Sequence, residues 1–400
     1  MDLNYGPEYE AFRAQLQAFL AANWPPKGED AQGSQREQMI RFRAKGIEAG
    51  YLARGIPRAY GGSEQAPDVL KAHLISEEFA RVNAPVDRAG IITPTLLAHG
   101  SEWQKQRFVR PTLLGEIIWC QGYSEPGSGS DLASIQTRAE LRGNEWIING
   151  QKIWTSGARE ADYIFCLCRT EPEAAKHGGI SYLLIDMRQP GIQIQPLKQM
   201  TGASGFNQVF FTEARTPADW IVGKRGEGWQ VSRTTLSHER SGIGNANGAL
   251  QQFEALVRLA QRTSMDGRPS IEHPDIRQRL AALEGYVRSH QYSSYIKLSK
   301  AAKHRDAPLL NLMNKLLGTN IGHEVSKLSL DLLSDQSLVP PTPGPRVDAP
   351  RDNAGWVNRY MGSLGVAIMG GTSNIQRNVI AERGLGLPRD EAAQRSSGTH

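Results

Sequence analysis

Three short segments of this sequence hold residue types able to do chemistry at useful spacings. The first is Leu236-Ser-His-Glu239-Arg240, where a carboxylate stands between an imidazole and a guanidinium on a helical pattern. A carboxylate removes a proton from carbon only when it is positioned and partly desolvated. Neighbouring side chains diverge by about 100° around a helix, so His238 and Glu239 cannot face one substrate together. By residue type alone, a Glu followed by Arg is an exposed charge pair. The second segment is Cys120-Gln-Gly-Tyr-Ser-Glu-Pro-Gly-Ser-Gly-Ser-Asp131. Its small residues let backbone N–H groups approach a flat polar ring, and Ser124 and Ser130 add hydroxyl partners; taken by itself it is a Gly/Ser loop. The third, Asn149-Gly-Gln-Lys-Ile-Trp-Thr-Ser-Gly157, puts Trp154 on a strand with Ser156 two residues on. An aromatic in that setting is ordinarily core.

The elements that must position these residues follow from the hydrophobic period. Apolar spacing in Phe12, Leu16, Phe19 and Leu20, and again in Val69, Leu70, Leu74, Ile75 and Phe79, predicts a helical module over residues 1–116. From residue 117 to 225 the texture changes to short β-type runs, at Trp146 to Ile148, Lys152 to Thr155, Tyr163 to Cys168, Ser181 to Ile185, Ile192 to Ile194 and Val209 to Phe211. Asn149-Gly150 separates the first two and predicts a hairpin turn between them, so the middle module reads as antiparallel β. The helical period returns over 226–386, in stretches of about 230–261, 274–303, 306–335 and 354–382, which predicts a four-helix bundle. The Pro-rich run Leu338 to Pro345 predicts an extended loop, and residues 387–400 a disordered tail. The fold class expected is α+β multidomain: helical, then β, then bundle.

Composition sets outer bounds. Four hundred residues favour two or three packed modules and exclude a disulfide miniprotein. The formal net charge of +5 is spread along the chain rather than clustered, which argues against a nucleic-acid surface. The three cysteines, Cys120, Cys166 and Cys168, make neither a disulfide framework nor a zinc pattern, and Cys166 and Cys168 share one face of a β-run as packing residues. The start has no cationic region leading into a long apolar run, and no stretch has the apolar length of a membrane span, so a soluble cytoplasmic protein is expected.

In order and spacing, the segments at 120–131 and 149–157, with Met369-Gly-Gly-Thr-Ser-Asn-Ile-Gln376 and Ala381-Glu-Arg-Gly384, resemble the acyl-CoA dehydrogenase family. Gly55-Ile-Pro-Arg-Ala-Tyr-Gly-Gly62, Gln104-Lys-Gln-Arg-Phe108 with Pro111, and Gly223-Lys-Arg-Gly-Glu-Gly-Trp229 extend the likeness over nearly the whole chain. The resemblance implies bound FAD, with Trp154 against the isoalloxazine ring and Ser156 near flavin N5. It also implies Tyr123 and Ser124 in the flavin-side loop, and Gln121 where relatives use an aromatic. Leu259-Ala-Gln-Arg-Thr-Ser264 looks like the family segment whose Arg, here Arg262, reaches the FAD pyrophosphate of a neighbouring subunit; on its own, such an Arg is a solvated helix-end charge. Thr372 and Asn374 match positions that touch the adenosine part.

Two departures matter. The family commonly has a Gln and a Gly-Gly turn before the last helix, whereas Asp331-Leu-Leu-Ser-Asp-Gln-Ser337 runs into the Pro-rich loop. The family also typically places its catalytic Glu just before the Gly-Thr of the last motif, where this chain has Gly370. Isovaleryl and long-chain relatives carry the base on the first bundle helix before an Arg, and Glu239 with Arg240 matches that position. The implied reaction is α,β-dehydrogenation of an acyl-CoA thioester to the trans-2-enoyl-CoA, in fatty acid or lipid catabolism of the β-oxidation type. Glu239 takes the α-proton, and Ser130 and Arg240 lie on the substrate side. The space left at residue 370 implies a branched, cyclic or bulky acyl group. Electron-transfer flavoprotein is the expected acceptor and a homodimer or homotetramer the expected assembly, with a heteromer open. A non-catalytic subunit of such a heteromer and an oxygen-using oxidase are the alternatives.

Overall fold

The computed structural model describes residues 6–174, 176–242, 244–341 and 350–388, with the side chains of residues 240–242 also outside the description. Of the tail expected over 387–400, residues from 389 on lie outside the described residues, as does the Pro-rich run from residue 342. By contact density the chain forms two units, residues 1–195 with 207–235, and residues 196–206 with 236–400.

The first unit opens with helices α1 (Pro7–Asn23), α2 (Gln35–Glu48), α3 (Val69–Arg81), α4 (Ile92–His99) and α5 (Glu102–Leu114). The predicted apolar stripes are what they bury: Leu16 and Leu20 on α1, and Leu74, Ile75 and Phe79 on α3. Strands follow as β1 (Trp119–Gly122), β2 (Arg138–Arg142), β3 (Glu145–Ser156), β4 (Tyr163–Arg169), β5 (Ile180–Asp186), β6 (Ile192–Leu197), β7 (Phe206–Pro217) and β8 (Ile221–Val222). Among the described residues these eight make one sheet, ordered β6-β7-β3-β2-β4-β5-β8, with β1 joined to β4. The β2–β3, β4–β5 and β5–β8 pairs are antiparallel, while β1 runs parallel to β4, as does the single bridge of β2 to β4. Cys120, Cys166 and Cys168 pack with Trp146, Ile148, Leu183 and Val209 in the sheet's core.

One expectation fails here. Asn149-Gly150 makes no hairpin: β3 runs unbroken through it, and the turn falls at Gly143-Asn144, where Arg142 pairs with Glu145. Tertiary contacts override the local signal. The Asn149 amide is held by Glu213 of β7, its Nδ2 donating to Oε1 at 2.8 Å and its Oδ1 accepting from the Glu213 N–H at 2.9 Å. Gly150 is needed for close approach, since a Cβ there would come within 2.7 Å of the Thr137 Cα.

The helical return begins with α6 (Gly228–Gly242) and continues through α7 (Ala246–Arg262), the small strands β9 (Ser264–Met265) and β10 (Arg268–Pro269), then α8 (Pro274–Ala302), α9 (Pro308–Leu333), α10 (Asn353–Ile368) and α11 (Ser373–Val379). Leu256, Leu259, Leu280, Val287, Val325, Leu328, Leu332 and Trp356 form the core of the second unit. Two of the predicted helical stretches are broken. The first breaks at Gly244, whose φ of 80° is left-handed and whose backbone lies against Asn314 and Lys315 of α9. The last breaks at Gly370 and Gly371, with φ of 64° and 95°. No described helix is long and apolar enough to cross a membrane.

Candidate active site

In the first unit, the Gly/Ser segment bridges β1 and β2, and its backbone is tied to β3. The Ile153 N–H donates to the Ser124 carbonyl at 2.9 Å, so Tyr123 and Ser124 lie beside Trp154. Tyr123 is buried, Gln121 and Ser124 are half-buried, and Ser130 is exposed. Trp154 and Ser156 are exposed with buried Thr155 between them, although Lys152, two residues before Trp154, is buried. Trp154 is 57% exposed and has a φ of 60°. A bulky residue both solvent-facing and left-handed is a true backbone outlier, and such strain collects at functional sites.

Beneath this face sits a buried ion pair absent from the motif reading. Lys152 Nζ donates to Glu125 Oε1 at 2.8 Å and to the Tyr123 carbonyl at 3.1 Å. The same carboxylate accepts the N–H groups of Gln136 at 2.7 Å and Thr137 at 2.9 Å. Burial pushes the Glu125 pKa up, but the Lys152 charge and these hydrogen bonds outweigh it and hold the carboxyl below its usual range. In the sequence Lys152 is simply the charged first residue of a predicted β-run, and nothing there marks Glu125 as its partner.

In the second unit, Glu239 is half-buried near the end of α6 while His238 is exposed, the divergence expected one position round a helix. The Arg240 side chain lies outside the described residues. Where the more usual base would stand, the Gly370-Gly371 turn is fixed from two sides. Gln376 Nε2 donates to the Gly370 carbonyl at 3.2 Å, and buried Lys315 donates to the carbonyls of Gly371 at 2.7 Å and Ala367 at 3.3 Å. Burial lowers the Lys315 pKa. Thr372 caps α11 through the Ile375 N–H at 3.3 Å, and exposed Asn374 accepts from Arg377 at 3.3 Å.

Arg262, exposed at the end of α7, borders a small polar cleft of about 180 Å³ with Gln336, Arg351, Asn353 and Trp356. The Trp356 indole Nε1 is buried with no hydrogen-bond partner among the described residues. Asp352 also lines the cleft, its carboxylate engaged in capping α10 through the Gly355 N–H at 2.6 Å. The two guanidiniums, two carboxamides and unsatisfied N–H donor fit an anionic group such as a pyrophosphate. Gln336 and Arg351 were not legible as partners of Arg262, because the segments holding them are far apart in sequence.

Family models place the whole described order in one lineage: the acyl-CoA dehydrogenase N-terminal domain matches residues 6–116, the middle domain 120–214 and the C-terminal domain 226–385. The chain belongs to the acyl-CoA dehydrogenase family. It is an oxidoreductase of that class. Acyl-CoA dehydrogenase IpdE1 of Mycobacterium tuberculosis is 38% identical over 399 residues, spanning 96% of this chain and 99% of the relative. The crystal structure of the ChsE4-ChsE5 complex from Mycobacterium tuberculosis aligns with a TM-score of 0.76 at 27% identity, covering 98% of this chain and 100% of that one. The Tcur3481-Tcur3483 steroid acyl-CoA dehydrogenase aligns with a TM-score of 0.75 at 29% identity over the same shares.

Proposed function

We propose that this chain is a catalytic, FAD-dependent acyl-CoA dehydrogenase that converts a bulky acyl-CoA thioester to its trans-2-enoyl-CoA, with Glu239 as the base. The observation that carries the reading is the contrast between the two base positions of the family: a half-buried carboxylate at residue 239, and at residue 370 a glycine with a φ of 64°. Glu239 Oε takes the proton α to the thioester carbonyl, with Arg240 and Ser130 on the substrate side. Gln121, Tyr123, Ser124, Trp154 and Ser156 would hold the flavin ring, and Arg262, Thr372 and Asn374 the remainder of FAD. When bound, FAD supplies the acceptor for the β-hydrogen and its electron pair. A bulky acyl group is supported by the absence of a side chain at Gly370 and by the steroid dehydrogenase among the solved relatives.

The chain works in an oligomer and passes electrons to an electron-transfer flavoprotein. A homodimer or homotetramer satisfies the cofactor site in the family pattern; a heteromer is favoured by the two-chain names of both solved relatives. Anaerobic titration with straight, branched and steroid-bearing acyl-CoA thioesters, followed by loss of flavin absorbance, tests the reading. Bleaching by bulky thioesters that Glu239→Gln abolishes while flavin stays bound is expected. Bleaching that survives the substitution removes Glu239 from the mechanism, and none with any thioester favours the non-catalytic subunit. Fast reoxidation by oxygen points to the oxidase.

A further inference from the structure

The buried pair of Glu125 and Lys152 has a geometry that stability alone does not require. The Lys152 side chain is 0% exposed and that of Glu125 8% exposed. An ion pair so deep sheds its hydration, a cost that its mutual attraction offsets only with good geometry and further hydrogen bonds, so a buried pair is weak evidence of a stabilising role. What charge and hydrogen bonds add is direction. The carboxylate and ammonium together bind the Tyr123 carbonyl and the N–H groups of consecutive Gln136 and Thr137, so the Tyr123–Glu125 loop, the 136–137 segment and β3, which carries Lys152, converge on one point. Glu125 also closes its own turn, exchanging N–H and carbonyl with Ser128 at 3.0 Å in both directions. The loop from Tyr123 to Ser130 is Gly- and Ser-rich and has few side chains able to hold it otherwise.

The clamp reaches Trp154. Lys152 lies two residues before it, Ile153 bonds the loop at Ser124, and on the far side the Thr155 carbonyl accepts from Asn207 Nδ2 at 2.9 Å. A tryptophan with a φ of 60° and mostly in solvent persists only where its neighbours over-determine the backbone. We infer that the Glu125–Lys152 pair is a positioning device: it locks the Tyr123–Ser124 backbone to β3 and holds Trp154 in its strained conformation, so that loop and indole form one rigid face. This rests on the reading above that the face meets the flavin ring.

The test uses the full chain as purified with its flavin, in Lys152→Met, Lys152→Arg, Glu125→Gln and the apolar double variant Glu125→Leu/Lys152→Met. The measurements are amide hydrogen exchange over residues 121–137 and 150–157, melting temperature, FAD affinity and the visible spectrum of the bound flavin. The single variants Lys152→Met and Glu125→Gln are expected to speed exchange at Ile153 and weaken FAD roughly tenfold or more, with a shifted flavin band. The double variant removes the unpaired charge but leaves the Gln136 and Thr137 N–H groups and the Tyr123 carbonyl without these side-chain partners. It should therefore regain only part of the melting temperature that the single variants lose, while exchange, affinity and spectrum stay altered, and Lys152→Arg should recover part of all three. A double variant with native exchange, affinity and spectrum overturns the proposal, because the pair is then only core filling. Faster exchange with unchanged FAD affinity and spectrum overturns the flavin-side assignment while leaving the clamp in place.

Discussion

The Nε2 of His290, on α8, lies 2.7 Å from the carbonyl oxygen of Gly244, five residues beyond the candidate base Glu239. A carbonyl only accepts, so Nε2 carries the proton and donates. His290 is 1% exposed, and burial, helped by the Lys297 charge and opposed by the hydrogen bond to Gly244, lowers its pKa. The break between α6 and α7 is thus pinned by a neutral imidazole. With the folded pKa below the unfolded value of about 6.5, the unfolded state binds the proton more readily. The stabilisation is therefore complete above about pH 6.5 and is lost as pH falls toward the folded value. Thermal melts from pH 8 down to 5 should show a falling midpoint in wild type and a flatter profile in His290→Gln. Parallel profiles would remove His290 from the pH response.

Glu239→Gln should lower turnover by about 10²- to 10⁴-fold, the range lost with a general base, and leave flavin content unchanged. Restoring a carboxylate at the other family position should not rescue it. Gly370 has a φ of 64°, where a residue with a Cβ costs about 1–2 kcal/mol, and Lys315 and Gln376 fix the turn's carbonyls. Glu239→Gln/Gly370→Glu is expected to melt earlier and stay inactive by stopped-flow flavin reduction. Recovered reduction would mean that the turn yields to admit a second base.

Trp154→Ala separates function from packing at one residue. The side chain is 57% exposed, so little apolar burial is lost, and alanine tolerates the left-handed backbone no worse than tryptophan. The flavin-free variant should melt within about 0.5 kcal/mol of wild type, yet hold flavin more weakly in a fluorescence titration. A large loss of stability with unchanged flavin binding would make Trp154 structural.

Much of this was legible in the residues. The order of helices, strands and bundle follows from apolar periods of 3.6 and 2, whereas the exposure of Trp154 does not, since residue type alone makes a strand tryptophan core. What was not legible depends on contacts across sequence. Asn149-Gly150 has the chemistry of a hairpin turn, but Glu213 and Thr137 keep it inside β3. Glu125 and Lys152 look like surface charges until the fold buries them together, 27 residues apart. Gly242, Gly244 and Asn245 are breaker residues that the helical period of the flanking segments runs across, and the chain does break there, with Gly244 left-handed against Asn314 and Lys315.

The same limit concealed the cleft beside Arg262, and there Trp356 supplies the sharpest test. Its ring is buried in the bundle core while its N–H lacks a partner among the described residues, and an unsatisfied buried donor costs about 1–3 kcal/mol. Trp356→Phe removes that donor and leaves an aromatic in the core. In the flavin-free protein, relief of the orphan donor offsets part of the lost volume, so the melting temperature should fall less than deleting so large a ring segment otherwise implies. If the N–H serves the anionic part of FAD beside Arg262, the variant should bind FAD about tenfold more weakly, and the stabilisation that saturating FAD gives should shrink by about 1.4 kcal/mol. Thermal melts across an FAD titration measure both effects. An FAD-dependent shift equal to wild type would assign Trp356 to the core alone and leave Arg262 and Arg351 without their third donor.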